Sequence, residues 1–330
     1  MTHSSVEPVT LATIQAPIRG RLPEVQAELR RIVEADFKLI ADVNAHLFQM
    51  QGKLFRPTLT LLTDAASGGP DPRAIPLAAT IELIHLATLV HDDSVDHSVM
   101  RRGMPTINTL FSHQVSVIMG DYLYSRAVIE LVRLGDLEPL RVLSRITNEM
   151  TVGEMRQLLA HDKLQFTENQ YDLLIRAKTA SLISGACEVG ALRASPDVRA
   201  ALGRFGQALG MAFQMVDDLL DYTEDASVTG KPSGLDLKEH KVTLPLIAAL
   251  PLMHDAERQA VNRLMQTAEP SEGQVQDVIG AVSRAGGLDY ARARALRLAQ
   301  EAEVELDFLP SSAAREALRA SIAYVVERRR

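Results

Sequence analysis

The chain has 330 residues, 46% of them hydrophobic but only 4% aromatic and none tryptophan, so it is long enough to bury a large core, which must be mainly aliphatic. Its 35 basic and 42 acidic side chains give a net charge of −7, which argues against nucleic acid as a partner, because such binding rests on many cations neutralising phosphates. The single cysteine, Cys187, excludes an internal disulfide and fits a reducing compartment, so a cytoplasmic location is expected.

Residues 1–15 lack a basic start followed by an apolar run, and read as no secretory leader. Charge interrupts each apolar stretch before the roughly 20 residues of a membrane span, so a soluble chain is expected. The first periodic segment, 24–49, sets Val25, Leu29, Ile32, Val33, Phe37, Ile40, Val43 and Leu47 mostly at three- and four-residue steps, the spacing of one helix face. Similar patterns predict helices over 54–67, 73–97, 114–134, 137–161, 169–193, 197–222, 244–266, 284–307 and 312–327. Few segments alternate with period two, and no Asn-Gly or Asp-Gly hairpin signal separates them. The expected fold is therefore all-α.

Breakers are short: Gly68-Gly69-Pro70-Asp71-Pro72, Ser195-Pro196 and Glu269-Pro270-Ser271. None has the length of an interdomain linker, so one helical domain over 21–330 should follow a short, partly ordered segment, 1–20. The stretch 223–243 differs in kind. It is polar, contains glycine and carries Lys231, Lys238 and Lys241, and a long loop inside a compact domain is usually functional.

Chemistry enters with a repeated acidic cluster. Asp92-Asp93-Ser94-Val95-Asp96 ends one apolar helical pattern, and Asp217-Asp218-Leu219-Leu220-Asp221 ends another. On a helix the first and last aspartates of each cluster share a face and repel by a few tenths of a kcal/mol unless a cation sits there. Mg²⁺ takes oxygen ligands, usually one or two carboxylates plus substrate phosphates, and would neutralise charge on a departing diphosphate. One such cluster reads equally well as a solvated helix end. Two copies, each closing an apolar helix, favour a metal-diphosphate site.

Cations supply the other half. Lys53 and Arg56 stand three residues apart in Gly52-Lys53-Leu54-Phe55-Arg56-Pro57, Arg101-Arg102-Gly103 follows the first cluster, Lys178-Thr179 lies in a helical pattern, and Lys231 and Lys241 lie in the polar loop. Each alone reads as a solvated charge; together they suffice for two diphosphates, with arginine adding bidentate geometry. Helical phase ties the groups together. His85, Thr88, Asp92 and Asp96 form one stripe, and Gln214, Asp217 and Asp221 form a second, with Gly210 one turn earlier.

From about residue 25 to 325 the chain resembles the trans-isoprenyl diphosphate synthases, or polyprenyl synthetase family. The resemblance rests on His91-Asp92-Asp93-Ser94-Val95-Asp96 with Met100-Arg101-Arg102-Gly103, on Phe213-Gln214-Met215-Val216-Asp217-Asp218-Leu219-Leu220-Asp221-Tyr222, and on Gly230-Lys231-Pro232, Asp236-Leu237 and Lys241-Val242-Thr243-Leu244-Pro245. It implies an all-helical single-domain bundle of about ten or more helices around a central cavity. Lys53, Arg56, His85 and Arg102 would bind isopentenyl diphosphate. Asp92, Asp96 and Asp217 would ligate Mg²⁺, three ions in the substrate complex, supported by Asp93, Asp218 and Asp221. Arg101, Lys178, Thr179, Gln214, Lys231 and Lys241 would hold the allylic diphosphate, and the loop 223–243 would close over it. Two departures stand out: Gln51 and His240 occupy positions where the family often has glycine.

The implied activity is Mg²⁺-dependent condensation of isopentenyl diphosphate onto an allylic primer, farnesyl or geranylgeranyl diphosphate. Ala87 and Thr88, about one turn before Asp92, are small where short-chain relatives have bulky aromatics. The sequence therefore resembles the long-chain subgroup that makes quinone side chains, with an octaprenyl product the best single expectation. Met119, Leu123, Ile146 and Met150 are candidates for a deeper floor, and Ala87 could instead simply pack against a neighbouring helix. The resemblance also implies a homodimer and at most peripheral membrane contact at product release. A shorter-chain synthase, a class I terpene cyclase and a noncatalytic prenyl-diphosphate-binding subunit remain the alternatives.

Overall fold

The computed structural model describes residues 9–50, 52–158, 163–223 and 234–327. In chain order the helices are α1 (Leu11–Gln15), α2 (Leu22–Ile32), α3 (Lys38–Gln49), α4 (Phe55–Ala66), α5 (Ala74–Val95), α6 (Ile107–Leu110), α7 (His113–Arg133), α8 (Leu137–Leu158), α9 (Glu168–Ile175), α10 (Ser181–Gly190) and α11 (Pro196–Thr223). After the loop come α12 (Leu235–Lys238), α13 (Leu244–Ala249), α14 (Asp255–Gln266), α15 (Glu272–Arg284), α16 (Gly287–Val304) and α17 (Ala313–Glu327). The fold is all-α, as expected.

Packing follows from where apolar side chains fall. Helix α5 buries residues on every side, from Leu77, Ala78 and Ala79 through Ile81, Leu83, Ile84 and Ala87 to Val90, which is the pattern of a central helix. It packs against α2, α4, α7 and α10. By length and composition α5 could cross a membrane, contrary to the expectation that charge breaks every such stretch; here it lies inside the helical bundle. Helix α10 touches α4, α5, α8 and α11, so it joins the two helices that carry the acidic clusters. Gly206 and Gly210 of α11 make that contact close, since a Cβ on either would come within 2.9 Å of the 180–184 backbone.

Several boundaries depart from the periodicity. The segment 24–49 is two helices, broken at 33–37. Tertiary hydrogen bonds hold the break: Val33 O accepts from Asn44 Nδ2 at 2.8 Å and from Tyr122 Oη at 3.1 Å, and Phe37 is left exposed. The segment 244–266 breaks after the short turn Leu250–Leu252, which contains Pro251. Helix α15 was not expected at all. Ser271, read as part of a breaker, is its N-cap, closing a capping box with Gln274. A two-residue antiparallel pair, Met100–Arg101 with Met104–Pro105, is also new. Arg102 and Gly103 turn it with φ of 50° and 76°, the left-handed geometry of a tight hairpin, and two residues per strand are too few to show a period.

Candidate active site

The first cluster sits at the end of α5. Asp92 and Asp93 lie in its last turn, and Asp96 caps it, donating its backbone N–H to Asp92 O at 2.8 Å. Their environments differ sharply. Asp93 is only 5% exposed and is clamped by Arg101, whose Nε and Nη2 donate at 2.8 Å to its two oxygens. Asp92 is half-buried, and burial pushes its carboxyl up to about 6; Lys178 opposes this, while Glu154 and Asp96 add to it. Lys178 Nζ lies 3.7 Å from Asp92 and 2.7 Å from Glu154 of α8. Asp96 is exposed.

The second cluster sits in the last turns of α11. Asp218 is 5% exposed and accepts hydrogen bonds from Tyr171 Oη at 2.6 Å and Gln214 Nε2 at 2.8 Å. Burial raises its carboxyl to about 7, although both donors pull it down. Gln214 in turn accepts from Thr179 Oγ1 at 2.8 Å, so Thr179, Gln214, Asp218 and Tyr171 form one chain of hydrogen bonds. Asp221 accepts from the backbone N–H groups of Leu235 and Asp236, at 3.2 and 3.0 Å, and so caps α12. Asp236 is pushed up to about 8, first by burial and then by Asp218 and Asp221.

Lys178 and Thr179 join the clusters. Lys178 stands beside Asp92, and its neighbour Thr179 leads to Gln214 and Asp218. Burial disfavours the charge of Lys241, but Glu239, Asp236 and Asp96 outweigh it and raise its pKa. The ends of α5 and α11 are thus joined through Lys178, Thr179 and Gln214.

A separate group of cations forms where α4, α5 and the hairpin meet. Arg56 is half-buried, its guanidinium disfavoured first by burial and then by Arg102, with Glu82 favouring it. Burial, then Arg56, Arg102 and Arg101, hold His85 well below the usual imidazole range, so it is neutral near pH 7. Arg102 Nη1 donates to Met50 O at 2.8 Å and lies over Gly52, where a Cβ would come within 2.7 Å of that nitrogen. Lys53 is exposed on the same turn, next to Leu54, whose φ of 50° is left-handed.

The sequence signature of the polyprenyl synthetase family matches residues 37–282. The chain belongs to that family. It is 39% identical over 307 residues to an all-trans-nonaprenyl-diphosphate synthase (geranyl-diphosphate specific) of Rhodobacter capsulatus, an alignment covering 92% of this chain and 94% of the relative. It is 37% identical to the octaprenyl diphosphate synthase of Escherichia coli, over 89% and 91% of the two chains. The crystal structure of a polyprenyl synthase from Caulobacter crescentus, complexed with calcium and isoprenyl diphosphate, superposes with a TM-score of 0.91 at 31% identity, covering 98% of this chain and 99% of that one.

Within this polyprenyl synthetase, four polar residues of the site received no role from sequence. Glu82 was legible as the one acidic residue in the apolar body of α5, three residues before His85. Asp236 lay in a quoted motif, and its burial was invisible. Glu154 and Tyr171 gave no local signal, because their partners Lys178 and Asp218 are distant in sequence. Nor did periodicity show that Lys178 and Thr179 sit in a π-helical turn, Arg176–Ala180, inside the predicted helix 169–193. The extra residue re-aims side chains at that point. Gly153 lets α8 approach this turn, since a Cβ there would meet Ala177 at 2.7 Å.

Two predicted positions, Gln51 and Lys231, lie outside the described residues. His240 does adopt the left-handed conformation a glycine would favour, at φ 56°, and its Nε2 lies 2.9 Å from Thr267 O. Ala87 is buried in the main core with Met119, Leu123, Ile146 and Met150, while Thr88 Oγ1 donates to His85 O at 2.8 Å.

Proposed function

We propose that the two acidic clusters hold one allylic diphosphate, and that the Lys53, Arg56, His85 and Arg102 group holds isopentenyl diphosphate beside it. The observation that carries this reading is the link between the clusters: Lys178 lies beside Asp92, and the adjacent Thr179 is hydrogen-bonded through Gln214 to Asp218. The chain is a prenyltransferase that elongates to long-chain all-trans polyprenyl diphosphates. Farnesyl or geranylgeranyl diphosphate is the proposed primer, and an octaprenyl chain the proposed product.

The family is Mg²⁺-dependent. The donors here fit such an ion: Asp92, Asp96 and Asp217 offer only oxygen, and burial, with Glu154 and Asp96, disfavours the charge of Asp92 until a cation offsets it. An ion there would share its ligands between carboxylate and phosphate. Bound Mg²⁺, three ions in this reading, would neutralise the charge that develops on the leaving diphosphate.

The residues then divide the work. Arg101, pre-aimed by Asp93, together with Lys178, Thr179, Gln214, Lys231 and Lys241, holds the allylic diphosphate while its C–O bond breaks to leave an allylic cation. Neutral His85 donates a hydrogen bond to isopentenyl diphosphate alongside Lys53, Arg56 and Arg102, orienting its double bond towards that cation. Attack forms the new C–C bond, and the departing diphosphate takes the proton that restores an allylic double bond. No protein nucleophile is needed; catalysis is charge stabilisation and positioning.

The loop 223–243 is proposed to close over bound substrate. Helices α7 and α8 expose Ile118, Ile129, Val132, Val152 and Met155, an apolar surface that supports a homodimer. A cytoplasmic enzyme touching the membrane only to release product is the accompanying proposal. The test is direct: purified chain is given farnesyl diphosphate, isopentenyl diphosphate and Mg²⁺, and dephosphorylated products are separated by chromatography. A ladder of linear prenols ending near eight isoprene units, absent with a chelator, is expected. A cyclic hydrocarbon, or no consumption of isopentenyl diphosphate, would overturn the reading.

A further inference from the structure

The turn that carries Lys53 is held by a residue from outside the family signature. That signature begins at residue 37, whereas Gln15 closes the short helix α1. Its Nε2 donates both to Lys53 O, at 3.2 Å, and to Thr58 Oγ1, at 3.0 Å. Thr58 Oγ1 donates onward to Leu54 O at 2.8 Å. One side-chain amide thus bridges the residue before left-handed Leu54 and the first turn of α4 after it.

Such a bridge has a physical task. A non-glycine residue in the left-handed region is unfavourable by about 1–2 kcal/mol and persists only where its surroundings hold it. Leu54 is the N-cap of α4 with no side-chain cap of its own, so the turn lacks the usual local lock. Gln15 itself is anchored, because Ile14 and Ile18 on either side are 0% and 2% exposed in the main core. From the other side Phe55 is fixed by Phe213 and Tyr324, with ring centroids 6.2 and 6.0 Å away. The backbone of Lys53 is therefore fixed while its side chain stays exposed.

We propose that Gln15 is a positioning residue of the isopentenyl diphosphate site, acting through Lys53. The proposal rests on the assignment of Lys53 to that diphosphate. Its test compares Gln15→Glu and Gln15→Leu with the unmodified enzyme in steady-state condensation, varying each substrate separately. Gln15→Glu keeps size and shape but removes the donor, so it separates hydrogen bonding from packing. Loss of one net hydrogen bond corresponds to about a 2- to 12-fold change. Both variants should raise KM for isopentenyl diphosphate by that factor, leaving kcat and the allylic KM within about twofold. On a Lys53→Ala background, Gln15→Glu should add no further rise.

An unchanged KM for isopentenyl diphosphate in Gln15→Glu would overturn the proposal, as would a full additive rise on the Lys53→Ala background. Equal rises in both KM values would also overturn it, since they would indicate a general loss of structure. If the unmodified enzyme performs no condensation, it is the functional assignment that fails; if Lys53→Ala leaves KM for isopentenyl diphosphate unchanged, it is the assignment of Lys53.

Discussion

The two aspartate clusters share a spacing, yet the protein uses them differently. At the end of α5 the middle carboxylate, Asp93, is committed to Arg101, while Asp92 lies half-buried beside Lys178 and Asp96 is exposed. At the end of α11 the middle carboxylate, Asp218, is sunk among Tyr171 and Gln214, and the last, Asp221, caps α12. One cluster therefore fixes the guanidinium of Arg101, and the other ties its own helix to α12. Motif identity specifies chemistry in outline; the neighbours of each carboxylate assign the role.

That contrast is open to attack from several sides. The largest effect is expected for Asp92→Ala, which should lower turnover by at least about 10²-fold while circular dichroism stays helical. Near-normal turnover would remove Asp92 from the metal site. Asp93→Ala should act through structure as well, because it strands a part-buried guanidinium. Allowing for the solvent that reaches Arg101, the loss should be on the order of 1–3 kcal/mol in urea unfolding, with a raised allylic KM. A variant as stable as the parent would contradict the clamp.

The second cluster should show itself in pH dependence. Asp218 and Asp236 hold protons up to about 7 and about 8, because burial disfavours their charged forms. The unfolded chain releases those protons near pH 4. Folding thus takes up protons in between, so the stability of substrate-free, chelator-treated protein should fall as pH rises from about 4 to about 8. Asp236→Asn should flatten the upper part of that slope; an unchanged slope would show that Asp236 is not its source. Ala87→Phe should shorten the product ladder, and an unaltered distribution would take Ala87 out of chain-length control. The smallest effect belongs to His240→Gly, where relief of the left-handed residue and loss of the contact to Thr267 oppose each other. Its unfolding free energy should stay within about 1 kcal/mol of the parent.

Much of this was legible in the sequence. The helices that bury a continuous stripe, and the two acidic clusters that end α5 and α11, are written in local spacing. What escaped depends on partners far along the chain. The break at 33–37 is fixed by Asn44 and Tyr122, and no periodicity in 24–49 reveals it. Tyr171 looks like any aromatic on a helix until it meets Asp218, and Gln15 looks like a polar residue near a terminus until it meets Lys53. The capping box of α15 was legible and was read as a breaker, because Pro270 stands before it.

The claim beneath the whole account is that Asp92 and Asp217 act on one diphosphate. Calorimetric binding of an unreactive thio-linked allylic diphosphate with Mg²⁺ measures this directly, in the parent, in Asp92→Ala, in Asp217→Ala and in the double variant. The account predicts strong non-additivity: either single change removes most of the Mg²⁺-dependent affinity, and the second adds little, with a coupling of about 1 kcal/mol or more. Losses that simply add, within about 0.5 kcal/mol, would place the two carboxylates at independent sites and contradict it.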